Sequence, residues 1–181
     1  MPTVVAHRYA RALADVVAPT GNYLPVLSEL EDFGAAYRQN LDLREVCETP
    51  AISMAQKLRV LESLAARLGS SPVALNFLRV VMSHYRMPLL GEILQAFRSV
   101  AYARLGIVQV KISSAADLSN EERELLRARF NELTKKRAEL EFHLDRSLIG
   151  GLVAQIGSTV YDGSIRGQLA RIQEQLAGGN L

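Results

Sequence analysis

The hydrophobic period of this 181-residue chain changes near Gly106, and that change constrains its fold more than any other feature. Before Gly106, apolar residues recur every three or four positions, which places them on one face of a helix. After it they first recur every second position, as in a half-buried strand. A chain with this pattern must build a helical part first and a part containing a sheet second. No Pro-, Gly- or Ser-rich linker separates the two, so the last N-terminal helix is expected to run almost directly into the first strand.

Within the first part, Val5, Tyr9, Ala12/Leu13 and Val16 predict a helix from Thr3 to Val17. Pro19-Thr20-Gly21 breaks it. Leu27, Leu30, Phe33 and Tyr37 mark a second helix with Glu29, Glu31 and Asp32 on its outer side. A third, short piece spans Leu41 to Glu48 and stops before Pro50. Ser53-Met54-Ala55-Gln56 has the capping-box form, and Gly69 ends the helix it opens. Ser71-Pro72 opens a fifth helix through Val73, Phe77, Val81 and Tyr85. A sixth runs from about Leu89 to Leu105.

Beyond Gly106, Val108, Val110 and Ile112 alternate with Gln109 and Lys111. Ser119-Asn120-Glu121-Glu122 caps a helix to about Arg137, with Leu126, Phe130 and Leu133 inward. Leu140, Phe142 and Leu144 alternate again. Leu152–Ile156, the Gly157-Ser158 pair and Val160-Tyr161 read as a hairpin. A final helix from Ser164 to Leu176 presents Ile165, Leu169, Ile172 and Leu176, ahead of a frayed Gly178-Gly179-Asn180 tail. The expected fold is mainly α with a small α/β part. A six-helix bundle occupies residues 1–105, and a mixed β-sheet domain with two helices occupies 106–181.

Composition excludes several function classes. Apolar residues make up 49% and charged residues 22%, which suits a packed core. With no Trp and few aromatics, that core must be aliphatic. Lys and Arg number 11 against 9 acidic residues up to Leu105, and 10 against 10 beyond it. Neither half is a basic nucleic-acid domain, and Lys135-Lys136-Arg137 suits a helix end. Cys47 stands alone, so neither a disulfide nor a cysteine metal site is expected. His7, His84 and His143 are too far apart in sequence for a local ligand motif. No catalytic, cofactor-binding or metal-binding set emerges. The N-terminus lacks the pattern of a secretory signal, and no apolar run is long enough to span a bilayer. Any membrane association is therefore expected through a partner.

Three features have competing readings. The Asp162–Gly167 turn opens a helix after a strand, where amides could hold a phosphate; this is the reading of a small phosphate- or nucleotide-binding enzyme. It lacks P-loop spacing, and a strand-to-helix turn capped by Asp162 or Ser164 is the preferred account. Gly150-Gly151 marks either a close approach of the chain's own backbone or a surface for another chain. In the first helix, Ala6, Ala10, Ala12 and Ala14 are spread around the circumference. Such a helix can pack on its own bundle and still offer a groove to a foreign helix.

Several segments together resemble the delta subunit of F-type ATP synthases, the family of the mitochondrial oligomycin-sensitivity-conferring protein. They are Arg8-Tyr9-Ala10-Arg11-Ala12-Leu13, Asn76-Phe77-Leu78 with Arg86, and above all Asp145 to Gly157 continued by Tyr161 to Leu169. The resemblance implies a non-catalytic connector in the peripheral stalk, present once per complex, that lets proton transport drive ATP synthesis. Its N-terminal domain would hold the N-terminal helices of alpha subunits in a groove between the first and fifth helices. Tyr9, Ala12 and Leu13 are the leading contacts, with Phe77 and Val81 behind them. Its C-terminal domain would grip the b subunits, with Gly150 and Gly151 either at that attachment or critical to the fold. The implied location is the cytoplasmic side of a bacterial inner membrane, reached only through the complex.

Overall fold

The structure is a computed structural model that describes residues 2–169, and the chain divides into two compact units, Met1–Ala101 and Tyr102–Leu181. Helices carry most of the described residues, and a small four-stranded sheet carries much of the rest. The first unit contains α1 (Val4–Val17), α2 (Tyr23–Gln39), α3 (Leu41–Glu48), α4 (Met54–Leu68) and α5 (Pro72–Ser83). A 3-10 turn, Met87–Leu89, leads into α6 (Leu90–Leu105), whose last turn crosses the division between the units.

The helix ends follow the local chemistry of the sequence. Ser53 Oγ accepts from the Gln56 amide while Gln56 reaches back to Ser53, closing a capping box at α4. Gly69 then ends α4 at φ 68°, in the left-handed region that glycine enters without Cβ strain. Thr3, Asn40 and Ser71 cap α1, α3 and α5 in the same side-chain-to-amide manner. The expected extension of α5 to Tyr85 does not form. The helix stops at Ser83, and Tyr85 sits at φ 56° with most of its surface exposed.

Phe33, Leu61, Leu78, Met82, Ile93 and Phe97 have almost no exposed surface and form the aliphatic and phenyl core of this unit. Each such side chain contributes about 1.5–3 kcal/mol on leaving water. Two carboxylates expected on the outer side of α2 instead join helices. Glu29 accepts from the Ser71 amide at 2.8 Å, and Glu31 pairs with Arg98 at 2.6 Å. Lys57 is buried, and its ammonium donates to the Cys47 carbonyl at 2.9 Å near the end of α3. That bond satisfies a carbonyl left open at a helix end.

The largest departure from expectation is in α1. Its buried stripe is Ala6, Ala10, Leu13, Ala14 and Val17, whereas Ala12 and Val16 are exposed and Val5 and Tyr9 half-buried. The core-facing stripe is thus rotated by about one residue, some 100° around the helix, from the one marked by the bulkier side chains. Alanines pack inward, where neighbouring helices leave little room.

In the second unit, β1 (Val108–Ser114), α7 (Asn120–Thr134) and β2 (Ala138–Leu144) form a parallel crossover. β3 (Leu152–Ile156) pairs antiparallel with β1 and turns through Gly157-Ser158 into β4 (Thr159–Asp162). The sheet order is β2-β1-β3-β4. Val110, Ile112, Phe130, Ala138, Leu140 and Ala154 are its core. Helix α7 ends at Thr134, short of the expected Arg137, with Lys135 left-handed at φ 53°. Leu133, expected inward, is 59% exposed. The final helix begins at residue 165; Ile172, Leu176 and the glycine tail lie outside the described residues.

Candidate functional site

The flank of α1 that runs from exposed Ala12 and Val16 to buried Leu13 forms one wall of a groove of about 600 Å³, and α5 forms the other. From α1 come Arg8, Tyr9, Ala12, Leu13 and Val16; from α5 come Val73, Asn76, Phe77, Val80 and His84. Most of this lining is hydrocarbon. Tyr9 and Phe77 meet edge-to-face on the groove floor, with ring centroids 6.5 Å apart and planes at 75°. Such a contact is worth about 0.5–1.5 kcal/mol beyond area burial, and it holds the two walls at a fixed distance.

Tyr9, Ala12, Leu13 and Phe77 therefore come together on one surface. Val81 does not join them, because it has no exposed surface and belongs to the core. Its neighbour Val80, 47% exposed, lines the groove instead, and so does Val16 at 62%. Reading α5 outward from Phe77 at helical spacing gives Val73, Val80 and His84. The sequence carried that signal, but the apolar run Val80-Val81-Met82 left open which residue faces in.

Gly150 and Gly151 occupy a second place of close contact. At Gly151, φ is 76°, and a Cβ there would collide with the Gly163 carbonyl oxygen and lie 3.0 Å from Ser164 Cα. At Gly150 a Cβ would lie 2.5 Å from Ile165 Cδ1. The Gly150 carbonyl accepts from the Ile165 amide at 3.0 Å, and the Leu152 carbonyl accepts from the Gly163 amide at 3.0 Å. Both glycines thus let the 150–152 backbone lie directly against the turn that opens the last helix.

Most of the amides in that turn are already bonded within the chain. Ser164 N donates to Asp162 Oδ1 at 2.9 Å, Ser164 Oγ donates to the same oxygen at 2.7 Å, and Gly167 N donates to Ser164 Oγ at 3.0 Å. With Gly163 and Ile165 N already bonded, the Asp162 carboxylate fills the position a phosphate would need. A fixed negative charge there repels a second one.

A match to the family described as ATP synthase delta (OSCP) subunit runs over residues 5–176. The chain belongs to that family. Among its relatives is the ATP synthase subunit delta of Acidobacterium capsulatum, 47% identical over 175 residues that cover 95% of this chain and 97% of the relative. The subunit of the same name from Koribacter versatilis is 36% identical, covering 96% and 97%. A chain in the solved Toxoplasma gondii mitochondrial ATP synthase hexamer has the same fold, with TM-score 0.75 and 24% identity over 99% of this chain and all of that one.

The delta family is a structural, non-catalytic part of the ATP synthase, so the reading of the Asp162–Gly167 turn as an enzyme's phosphate site is overturned. Burial pushes the Cys47 thiol up to about 11, with Lys57 pulling it down and Glu48 raising it, which leaves it a thiol and a poor nucleophile. Tyr37 is raised by burial and by donating to Glu48 Oε1 at 2.6 Å. Among the described residues, no group of three His, Cys, Asp or Glu side chains could hold a metal ion. No described helix is long and apolar enough to cross a membrane.

Proposed function

We propose that this delta-family chain is the connector of the peripheral stalk, holding the catalytic head of a bacterial ATP synthase to the b subunits that rise from the membrane. In this reading residues 1–105 act as a six-helix bundle that receives the N-terminal helix of an alpha subunit, and residues 106–181 attach to the b subunits. The observation that carries it is the open, largely hydrocarbon groove between α1 and α5, in which exposed Ala12, Val16 and Val80 flank the core residues Leu13 and Phe77. A joint that resists torque must hold under load. Apolar burial over a helix face supplies that better than exposed ion pairs, each worth about 0–1 kcal/mol. The bacterial setting rests on the bacterial relatives.

The test is calorimetric titration of the full chain with the N-terminal peptide of the alpha subunit from the same organism. Ala12→Asp places a carboxylate on the exposed wall and weakens binding at least tenfold while the thermal melt is unchanged, since Ala12 makes no part of the core. Tyr9→Ala weakens it as well. Unchanged affinity in both variants removes the groove assignment, and pull-down of the complex without alpha and b subunits removes the connector reading.

A further inference from the structure

A second cleft in the first unit, of about 320 Å³, shares no residue with the α1–α5 groove. Arg38 on α2 and Arg44 on α3 line it together, with Tyr37, Glu48 and Gly91. The charges in it are unevenly matched. Glu48 stands four residues beyond Arg44 on the same helix, a spacing at which such pairs often meet, yet its Oε1 accepts from the Tyr37 hydroxyl at 2.6 Å instead. Arg44 Nη2 donates to the Arg38 carbonyl at 3.0 Å, which spends one of its N–H donors on the backbone. Arg38 lies back along α2, its Nη1 3.7 Å from the point a Cβ on Gly34 would occupy. Among the described residues, no carboxylate comes within ion-pair distance of either guanidinium. Room is left as well, since a Cβ on Gly91 would meet nothing within 4 Å.

The geometry points to a carboxylate-binding site, in which Arg38 and Arg44 take one carboxylate between them. That carboxylate belongs to an Asp or Glu side chain on a docked protein segment or to a free small acid. The planar N–H fork of a guanidinium matches the two oxygens of a carboxylate, and charge-assisted bonds of this kind are the strong ones. The charge balance selects the class of anion. Two guanidiniums exceed the one Glu48 carboxylate by a single positive charge, so a monovalent anion neutralises the cleft. A doubly charged phosphate would leave excess negative charge beside Glu48, which repels it. The site is independent of whatever occupies the α1–α5 groove.

The experiment is an NMR titration of the full chain, following the Arg38 and Arg44 side-chain Nε–H signals and the Gly91 amide, with ionic strength held constant by sodium chloride. The probes are acetate, inorganic phosphate and a short blocked peptide with one glutamate among alanines. Acetate shifts these signals saturably, with a dissociation constant on the order of 10 mM. Shifts that never saturate, or that chloride alone reproduces, overturn the site. Phosphate bound at least about tenfold more tightly than acetate overturns the assignment to a carboxylate. A peptide bound more tightly than acetate supports a carboxylate carried on a chain, and equal affinities support a free acid. Arg38→Gln and Arg44→Gln each weaken acetate by at least about threefold, while Glu48→Gln tightens it by about two- to fivefold through loss of the opposing charge. Arg59→Gln, exposed on α4 and outside the cleft, changes it by less than about 1.5-fold. The gain in Glu48→Gln is a readout that damage to the fold cannot imitate, and unchanged or weaker binding in that variant overturns the charge balance.

Discussion

Single positions in this chain are constrained by backbone geometry more than by side-chain chemistry. Gly151 combines a positive φ with direct contact between its backbone and the Gly163 carbonyl, whereas Gly157 has φ 58° and open space around it. Gly151→Ala is expected to destabilise the C-terminal unit by about 2–4 kcal/mol, and Gly157→Ala by about 1 kcal/mol, the cost of the left-handed backbone alone. Urea unfolding followed through β-sheet circular dichroism distinguishes the two. Equal losses would show that the contact with Gly163 is readily relieved. The pair Gly150-Gly151 was conspicuous in the sequence, but its purpose was not. The partner that forbids a Cβ is twelve residues away, and only the folded turn brings it near.

Elements were legible where local chemistry decides them. The capping boxes at Ser53 and Ser119 form as their spacing predicts, because their hydrogen bonds close within four residues. Faces were less legible. In α1 the spacing suggested a face of Val5, Tyr9, Ala12/Leu13 and Val16; of these only Leu13 is buried, and the packed bundle takes Ala6, Ala10, Ala14 and Val17 with it. Likewise Leu133 of α7 is exposed, one residue before the helix ends, and Phe130 is the side chain of α7 that reaches the core. The two faces of α1 yield a direct prediction. Ala10, with no exposed surface, has no room to grow, and Ala10→Leu lowers stability by about 1–3 kcal/mol through overpacking. Ala12→Leu, on the groove wall, changes it by less than about 0.5 kcal/mol. Denaturant midpoints of the two variants check this, and a reversed order would place the core on the other face.

Across the whole molecule, the change of period near Gly106 announced two different parts. The chain divides inside the last turn of α6, after Ala101. Each part has its own core, and the groove lies wholly within the first. A fragment of residues 1–105 is therefore expected to melt cooperatively and to bind the alpha peptide within about twofold of the full chain, since a part with its own core folds alone. Calorimetry on the fragment tests it, and loss of either property would mean that the groove depends on residues beyond Leu105. The strand order was beyond sequence reasoning, because alternation shows that a strand is half-buried but not which strand it lies beside.

The central position of β1 also bears on how the chain emerges from the ribosome. Both neighbours of this strand are made after it: Val108 waits for Ala138, and Val110 waits for Ile156. At about 5–20 residues per second, β1 spends seconds as an unpaired apolar strand while the helices before it can already close over local contacts. The second unit therefore completes its sheet only once the hairpin that closes it has been synthesised.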